Sequence, residues 1–300
     1  MKRLVVLLGL LAVPACAQMT CSQARHRAIN LMNTGIKKYT DGLHAQALKD
    51  LEAAAKEDPS FTAAHYNLAK VYQEMKKWDE AQTHLNRVVA TEADNAVAHY
   101  DLGLCYQMLN RIDLAQASYQ KALALNQRLF AAHFRLGTIA EAQDQPAKAD
   151  AAYRKSIEIN PRFTQAFVKL GLLYLGHDYP ELAMQVFQTA VAINDDSAEA
   201  HNGLGVAYQG LKQYDKAIAS FTKAVQLNSQ LLDAIYNLGM TYAAADKRKE
   251  AEETLNRFAK LATGKTGVDP DYVKAAHDKI SELAGAASAP KPNLPKRLSQ

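Results

Sequence analysis

Residues 28–265 fall into seven consecutive rows of 34, from Ala28 to Lys265, with no insertion or deletion. Position 20 of the row is alanine every time: Ala47, Ala81, Ala115, Ala149, Ala183, Ala217 and Ala251. Position 8 is glycine or alanine (Gly35, Ala69, Gly103, Gly137, Gly171, Gly205, Gly239), and position 7 is leucine in six rows, Leu68 to Leu238. A period of this length restricts the fold to an array of small units, each burying its apolar face against its neighbours.

Positions 4, 7, 8 and 11 are spaced i, i+3, i+4, i+7 and lie on one face of a helix. Small residues at 8 and 20 let two helix backbones approach. The larger residues at position 24, among them Tyr119, Tyr153, Phe187 and Phe221, fill the space beside them. Polar residues interrupt the pattern at positions 14–17, and Pro146 and Pro180 both fall at position 17. Proline is accepted in the first turn of a helix, so a second helix starts there and each row reads as helix–turn–helix. The scarcity of glycine and proline (14 and 9 in 300 residues) agrees with helix throughout.

The pattern resembles the tetratricopeptide repeat (TPR), in its small residues at positions 8 and 20, Tyr72, Tyr106, Tyr174, Tyr208 and Tyr242 at position 11, and Pro59 and Pro161 at position 32. Row one departs at Thr34 and Lys38, and row four carries Ala140 at position 11. The resemblance implies an all-α fold, a right-handed TPR superhelix (α-solenoid). It would comprise seven repeats, 28–61, 62–95, 96–129, 130–163, 164–197, 198–231 and 232–265, with a short linker, 18–27, before them. Asp269-Pro270 is an N-cap and first-turn pair, and Gly285 is a stop signal, so residues 266–284 are expected to hold a capping helix over Pro270–Ala284. The stretch 285–300 is basic and proline-containing, and is expected to be a disordered tail.

The chain opens "MKRLVVLLGLLAVPACAQMTC", two basic residues and a ten-residue apolar run, which is the anatomy of an export signal over 1–17. Two processing outcomes stand side by side. Ala15-Cys16-Ala17 is a small-x-small cleavage site that would release a soluble periplasmic or secreted protein. "VPAC" resembles the bacterial lipobox, which would lipidate Cys16 and tether the chain to a membrane, the outer membrane among them. Retention of the leader as an anchor is the third outcome. Setting the basic residues of the leader and tail aside leaves a body near neutrality with both signs interspersed, which excludes the basic stripe of a nucleic-acid binder.

His65, His99, His133 and His201 all occupy position 4. Equivalent side chains of stacked repeats lie ~10 Å apart, the helix packing distance, whereas zinc requires nitrogens ~2.1 Å from one centre. The ladder is therefore read as packing histidines, each with a hydrogen-bond partner, and no metal is expected. Cys105 reads as a small core residue and Cys21 has no partner at metal or disulfide spacing. "ATGKTG" (262–267) lacks the first glycine of a phosphate loop, and "GLGVAYQG" (203–210) lies within a helix. No nucleophile or metalloprotease motif is present, so no enzymatic activity and no cofactor are expected.

In the family resembled, positions 2, 5, 9 and 12 of the first helix point into the concave face. That implies a protein partner held by Tyr66, Lys70, Gln73, Tyr100, Leu104, Gln107, Phe134, Thr138, Glu141 and Tyr236. Aromatic side chains offer large contact area at low entropic cost, and amides hydrogen-bond a peptide backbone without demanding a sequence. The lysine–asparagine–arginine carboxylate clamp of chaperone-binding members is not reproduced, because position 5 is aromatic and Lys70 and Arg135 stand alone. The expected role is a non-catalytic interaction scaffold of the bacterial envelope, by analogy in assembly of a machine such as the type IV pilus secretin. The alternative is a regulatory or substrate-delivery subunit for a glycan- or peptidoglycan-processing enzyme.

Overall fold

The computed structural model describes residues 23–265 and 267–288, and all regular structure among them is helical. Helices come in pairs at the 34-residue period: α1 (Gln23–Thr40) with α2 (His44–Glu57), α3 (Thr62–Glu74) with α4 (Trp78–Thr91), and α5 (Ala96–Met108) with α6 (Ile112–Leu125). They continue as α7 (Phe130–Ala142) and α8 (Pro146–Ile159), α9 (Thr164–Gly176) and α10 (Pro180–Ile193), α11 (Ala198–Gly210) and α12 (Tyr214–Leu227), and α13 (Leu232–Ala244) and α14 (Arg248–Ala262). A last helix, α15 (Pro270–Ser288), follows. The chain divides into two compact units, one ending at Gln143 and the other starting at Asp144.

Two boundaries differ from the sequence expectation. The first helix begins at Gln23, so half of the expected 18–27 linker is helical. The last helix runs through Gly285 to Ser288, four residues into the expected tail. Gly285 sits where a Cβ would meet nothing within 4 Å, and alanines follow it, so a lone glycine does not end the helix there. At its start the Asp269 carboxylate accepts from the Asp271 N–H at 2.9 Å. The export signal, Cys16, Cys21 and residues 289–300 lie outside the described residues.

The turn inside each pair has a fixed chemistry. Position 15 takes positive φ in every row: Gly42 (81°), Lys76 (59°), Asn110 (57°), Asp144 (54°), Asp178 (61°), Lys212 (57°) and Asp246 (56°). Glycine, asparagine and aspartate suit this left-handed cap, and the 6→1 bond from the next N–H (Lys77 to Tyr72 O, 2.8 Å) completes it. Proline at the first helical position opens α8 and α10.

Within each unit, the second helix of one pair packs on the first helix of the next: α2 on α3, α4 on α5 and α6 on α7, then α8 on α9, α10 on α11, α12 on α13 and α14 on α15. The core follows the sequence pairing of positions 8 and 24. A Cβ on Gly35 would fall 2.9 Å from Leu51, on Gly103 2.7 Å from Tyr119, on Gly171 2.6 Å from Phe187 and on Gly239 2.7 Å from Leu255. The position-20 alanines are completely buried. Small against large at a fixed offset of 16 residues is what packs the two helices of a repeat.

Candidate functional site

The histidine ladder is built into the links between repeats. Nε2 of His65, His99, His133 and His201 donates to the carbonyl six residues earlier, on Pro59, Ala93, Gln127 and Asp195, at 3.1, 3.1, 3.2 and 3.1 Å. Each acceptor sits at position 32, so every imidazole ties the first helix of its repeat to the loop that delivers it.

One rung has a second partner that the periodicity did not announce. His84 on α4 places its Nδ1 2.9 Å from Nδ1 of His65. His65 uses Nε2–H on Pro59, so its Nδ1 is an acceptor and His84 donates. The ring centroids lie 5.2 Å apart with planes 27° apart, which brings the two nitrogens close to collinear. That geometry holds a shared proton, whereas a metal between facing nitrogens at ~2.1 Å from each needs a wider gap. Among the described residues no three histidine, cysteine or carboxylate groups are placed to hold a metal ion. Burial lowers the pKa of both rings, that of His84 to about 4, with the neighbouring His65 and Arg87 adding to the shift and Glu52 opposing it. Tyr72 stacks on His84 at 5.6 Å and its hydroxyl donates to Glu52 at 2.7 Å.

This pair lines an open cleft of about 350 Å³ between α2, α3 and α4, together with Glu52, Leu68 and Arg87. A cleft of about 340 Å³ occupies the same register of the second unit, between α8, α9 and α10, where Phe167 takes the position-4 site beside Ile157, Leu170 and Val186. Neither cleft includes a residue expected from sequence to meet a partner. Only the repeat register of positions 4 and 23 could have pointed to them.

The expected partner-binding residues lie on the first helices and divide into distinct groups. Tyr66, Lys70 and Gln73 of α3 all turn to Asp101 of α5. The Tyr66 hydroxyl donates to Asp101 Oδ2 at 2.8 Å, Lys70 Nζ pairs with Oδ1 at 3.0 Å, and Gln73 Nε2 donates to the Asp101 carbonyl at 3.0 Å. The Asp101 side chain is only 4 % exposed, and burial with the adjacent carboxylate pushes the Tyr66 phenol well above its ordinary pKa. These three side chains hold repeat two to repeat three.

On α5, Tyr100 lies 5.6 Å from Tyr119, centroid to centroid, and Gln107 accepts from the Tyr119 hydroxyl at 2.8 Å while reaching Thr138 at 3.4 Å. Leu104 is half-buried and Val97, one turn from Tyr100, is 39 % exposed. On α7, Phe134 is buried, while Thr138 and Glu141 are half-buried. Thr138 donates to the Arg135 carbonyl at 2.7 Å. Tyr236 on α13 is covered by α15: its ring meets Phe258 at 5.2 Å and Tyr272 edge-on at 4.9 Å. Helix α15 packs on α14 and α13, and Tyr236 belongs to its seat. The stretch of first-helix surface that keeps side chains at hand runs over α5 and α7.

Models of the tetratricopeptide repeat match residues 39–102, 96–129, 130–163, 198–231 and 233–262, together more than half of the chain. No curated protein matches the sequence. Among solved structures, a MamA protein is 28% identical over 58% of this chain and 95% of its own, with a TM-score of 0.52. The protein YrrB, described as a TPR protein with an unusual peptide-binding site, is 24% identical over 65% and 97%, with a TM-score of 0.54. The protein pilF of Pseudomonas aeruginosa is 18% identical over 76% and 98%, with a TM-score of 0.63. The last two are likenesses of fold.

Proposed function

This chain belongs to the tetratricopeptide repeat family, and from that premise we propose that it is a non-catalytic scaffold exported to the bacterial cell envelope, where its first-helix face holds a segment of a partner protein. The observation that carries the reading is the surface of α5 and α7. There Tyr100, Leu104, Gln107 and Thr138 remain half-exposed on helices whose other faces are buried. Aromatic and aliphatic anchors beside amide and hydroxyl groups suit an extended or helical peptide segment. Export rests on the leader sequence, and attachment to the outer membrane rests on lipidation of Cys16. Service to an envelope assembly, with the type IV pilus secretin as the analogy, is the finer form of the same reading.

The test is site-specific photo-crosslinking in the native bacterium, with the crosslinker at Leu104 and a control at Leu114, which is 49 % exposed on α6. Crosslinks from position 104 alone, to an envelope protein and in the envelope fraction, are expected. Equal crosslinking from both positions, or a chain recovered from the cytoplasm, refutes the proposal. A Cys16→Ala variant separates the anchoring question: it should move the protein from the membrane to the soluble periplasmic fraction.

A further inference from the structure

The cleft beside the His65–His84 pair and its counterpart in the second unit are built from the same repeat positions: 25, 28 and 29 of one repeat with 4, 7, 23 and 26 of the next. Their chemistry differs. Where the second cleft has Phe167, Val186, Thr189 and Glu158, the first has His65, His84, Arg87 and Lys56. The groove comes with the fold, and the basic set belongs to one copy of it. Arg87 and Lys56 are exposed, and neither forms an ion pair or a side-chain hydrogen bond among the described residues. Arg87 follows His84 by one turn of α4, and its charge helps lower the pKa of both imidazoles, which places it near the pair. Glu52, the one carboxylate lining the cleft, is engaged by the Tyr72 hydroxyl at 2.7 Å. His84 spends its Nδ1–H on His65, so its Nε2 is an acceptor. That nitrogen has no hydrogen-bond partner among the described residues and is not sealed from solvent. The set calls for anionic oxygens opposite Arg87 and Lys56 and for an O–H donor opposite Nε2. A carboxylate or a sulfate ester at neutral pH offers acceptors alone, whereas the monoanion of a phosphate monoester carries both.

We propose that this cleft binds a phosphate monoester, with Arg87 and Lys56 on its anionic oxygens and its P–OH donating to Nε2 of His84. The site is separate from the peptide-holding face on α5 and α7 and does not depend on that reading. In the complex one proton lies between phosphate and imidazole. Below the second pKa of the free ester, about 6, that proton arrives with the ligand, and above it the proton is taken from solution. Affinity should therefore be level near about pH 5 and fall by up to about tenfold per unit above about pH 7. The charges acting on the two rings are Arg87, Glu52 of α2 and Asp58 after it, with Lys56 facing the cleft from α2. Asp58 is held at about 2 by Arg25, and burial pushes the Tyr72 phenol up, so neither titrates in this range.

The test is titration calorimetry of the purified protein with phenyl phosphate, in two buffers of different ionisation enthalpy so that proton uptake is read directly. Uptake approaching one proton at about pH 7.5, and little at about pH 5, is expected. Phenyl sulfate, which has no proton to donate, should bind at least about tenfold more weakly. Arg87→Thr and Lys56→Glu install the second cleft's residues at exposed positions, and each should weaken binding by about 10- to 100-fold while thermal melts show the fold intact. His84→Gln should keep binding and lose the proton uptake, because an amide can turn either its carbonyl or its NH₂ to the phosphate. Vesicles of phosphatidic acid in phosphatidylcholine present the same group on a lipid. Binding to them that depends on Arg87, with none of phenyl phosphate, assigns the site to a lipid headgroup, and the reverse assigns it to a soluble ester. Binding of neither probe, equal affinity for the sulfate, or binding untouched by Arg87→Thr overturns the inference.

Discussion

Gly203 offers the sharpest test of how the array is packed. It occupies position 6 of α11, the place that asparagine, aspartate, arginine or lysine fills in the other rows. The reason is Phe187, which is completely buried and wedged between two helices. A Cβ on Gly203 would fall 2.3 Å from both Cε1 and Cζ of that ring, and on the other side a Cβ on Gly171 would fall 2.6 Å from it. Carbon atoms in contact prefer ~3.5–4.0 Å, so in Gly203→Ala the ring must retreat by more than ~1 Å. Two terms of opposite sign compete. Alanine gains about 1 kcal/mol of helix propensity over glycine. Overpacking a tight core costs about 1–3 kcal/mol in ordinary cases, and a contact this short belongs at or beyond the upper end. The net expectation is a loss of about 2 kcal/mol, or a fall of roughly 4–8 °C in Tm for a chain of this size. Gly176→Ala is the internal control, because a Cβ there meets nothing within 4 Å. Phe187→Leu in the Gly203→Ala background should recover part of the loss, a non-additive result that ties the effect to this contact. Thermal and urea denaturation followed by circular dichroism reads all four. If Gly203→Ala is as stable as the wild type or more so, the packing argument is wrong.

Other outcomes follow from the polar contacts. The His65–His84 pair is neutral in the folded state, with His84 held at about 4 against an ordinary 6.5, so the unfolded chain binds more protons between those values. Stability should fall as pH drops from about 6.5 to 4, by no more than about 3 kcal/mol and less after allowance for partial exposure, and then level off. His84→Gln should flatten that limb of the curve, while the separate loss below pH 4 from Asp58, held at about 2 by Arg25, remains. Asp101→Ala strands Lys70 and Tyr66 and should cost about 3 kcal/mol in a thermal melt, more than Asp101→Asn, which keeps the side-chain volume. Cys105 is fully buried and its thiol is pushed up to about 11. In a chain with Cys16 and Cys21 changed to serine, maleimide labelling at fixed pH should therefore be slow in the folded protein and rise as mild denaturant increases local unfolding.

The sequence made the scaffold legible because its determinants lie within one period. The offset from position 8 to position 24 sets a glycine against a large residue in the same repeat, and both are visible in one row. The position-4 histidines were likewise readable as packing residues, since their acceptors lie six residues upstream. What was not legible lies between rows. Tyr66, Lys70 and Gln73 look like a ligand-binding row, but bonds spanning 35, 31 and 28 residues bring all three to Asp101. Their fate depends on how far one repeat turns against the next, and the 34-residue pattern carries no term for that angle. His84 is missed for a different reason: it shares a row with His65, but it is the only histidine at position 23, so no periodicity marks it. The glycine in "GLGVAYQG" was readable as helical, but its cause, a phenylalanine from the preceding repeat, was not.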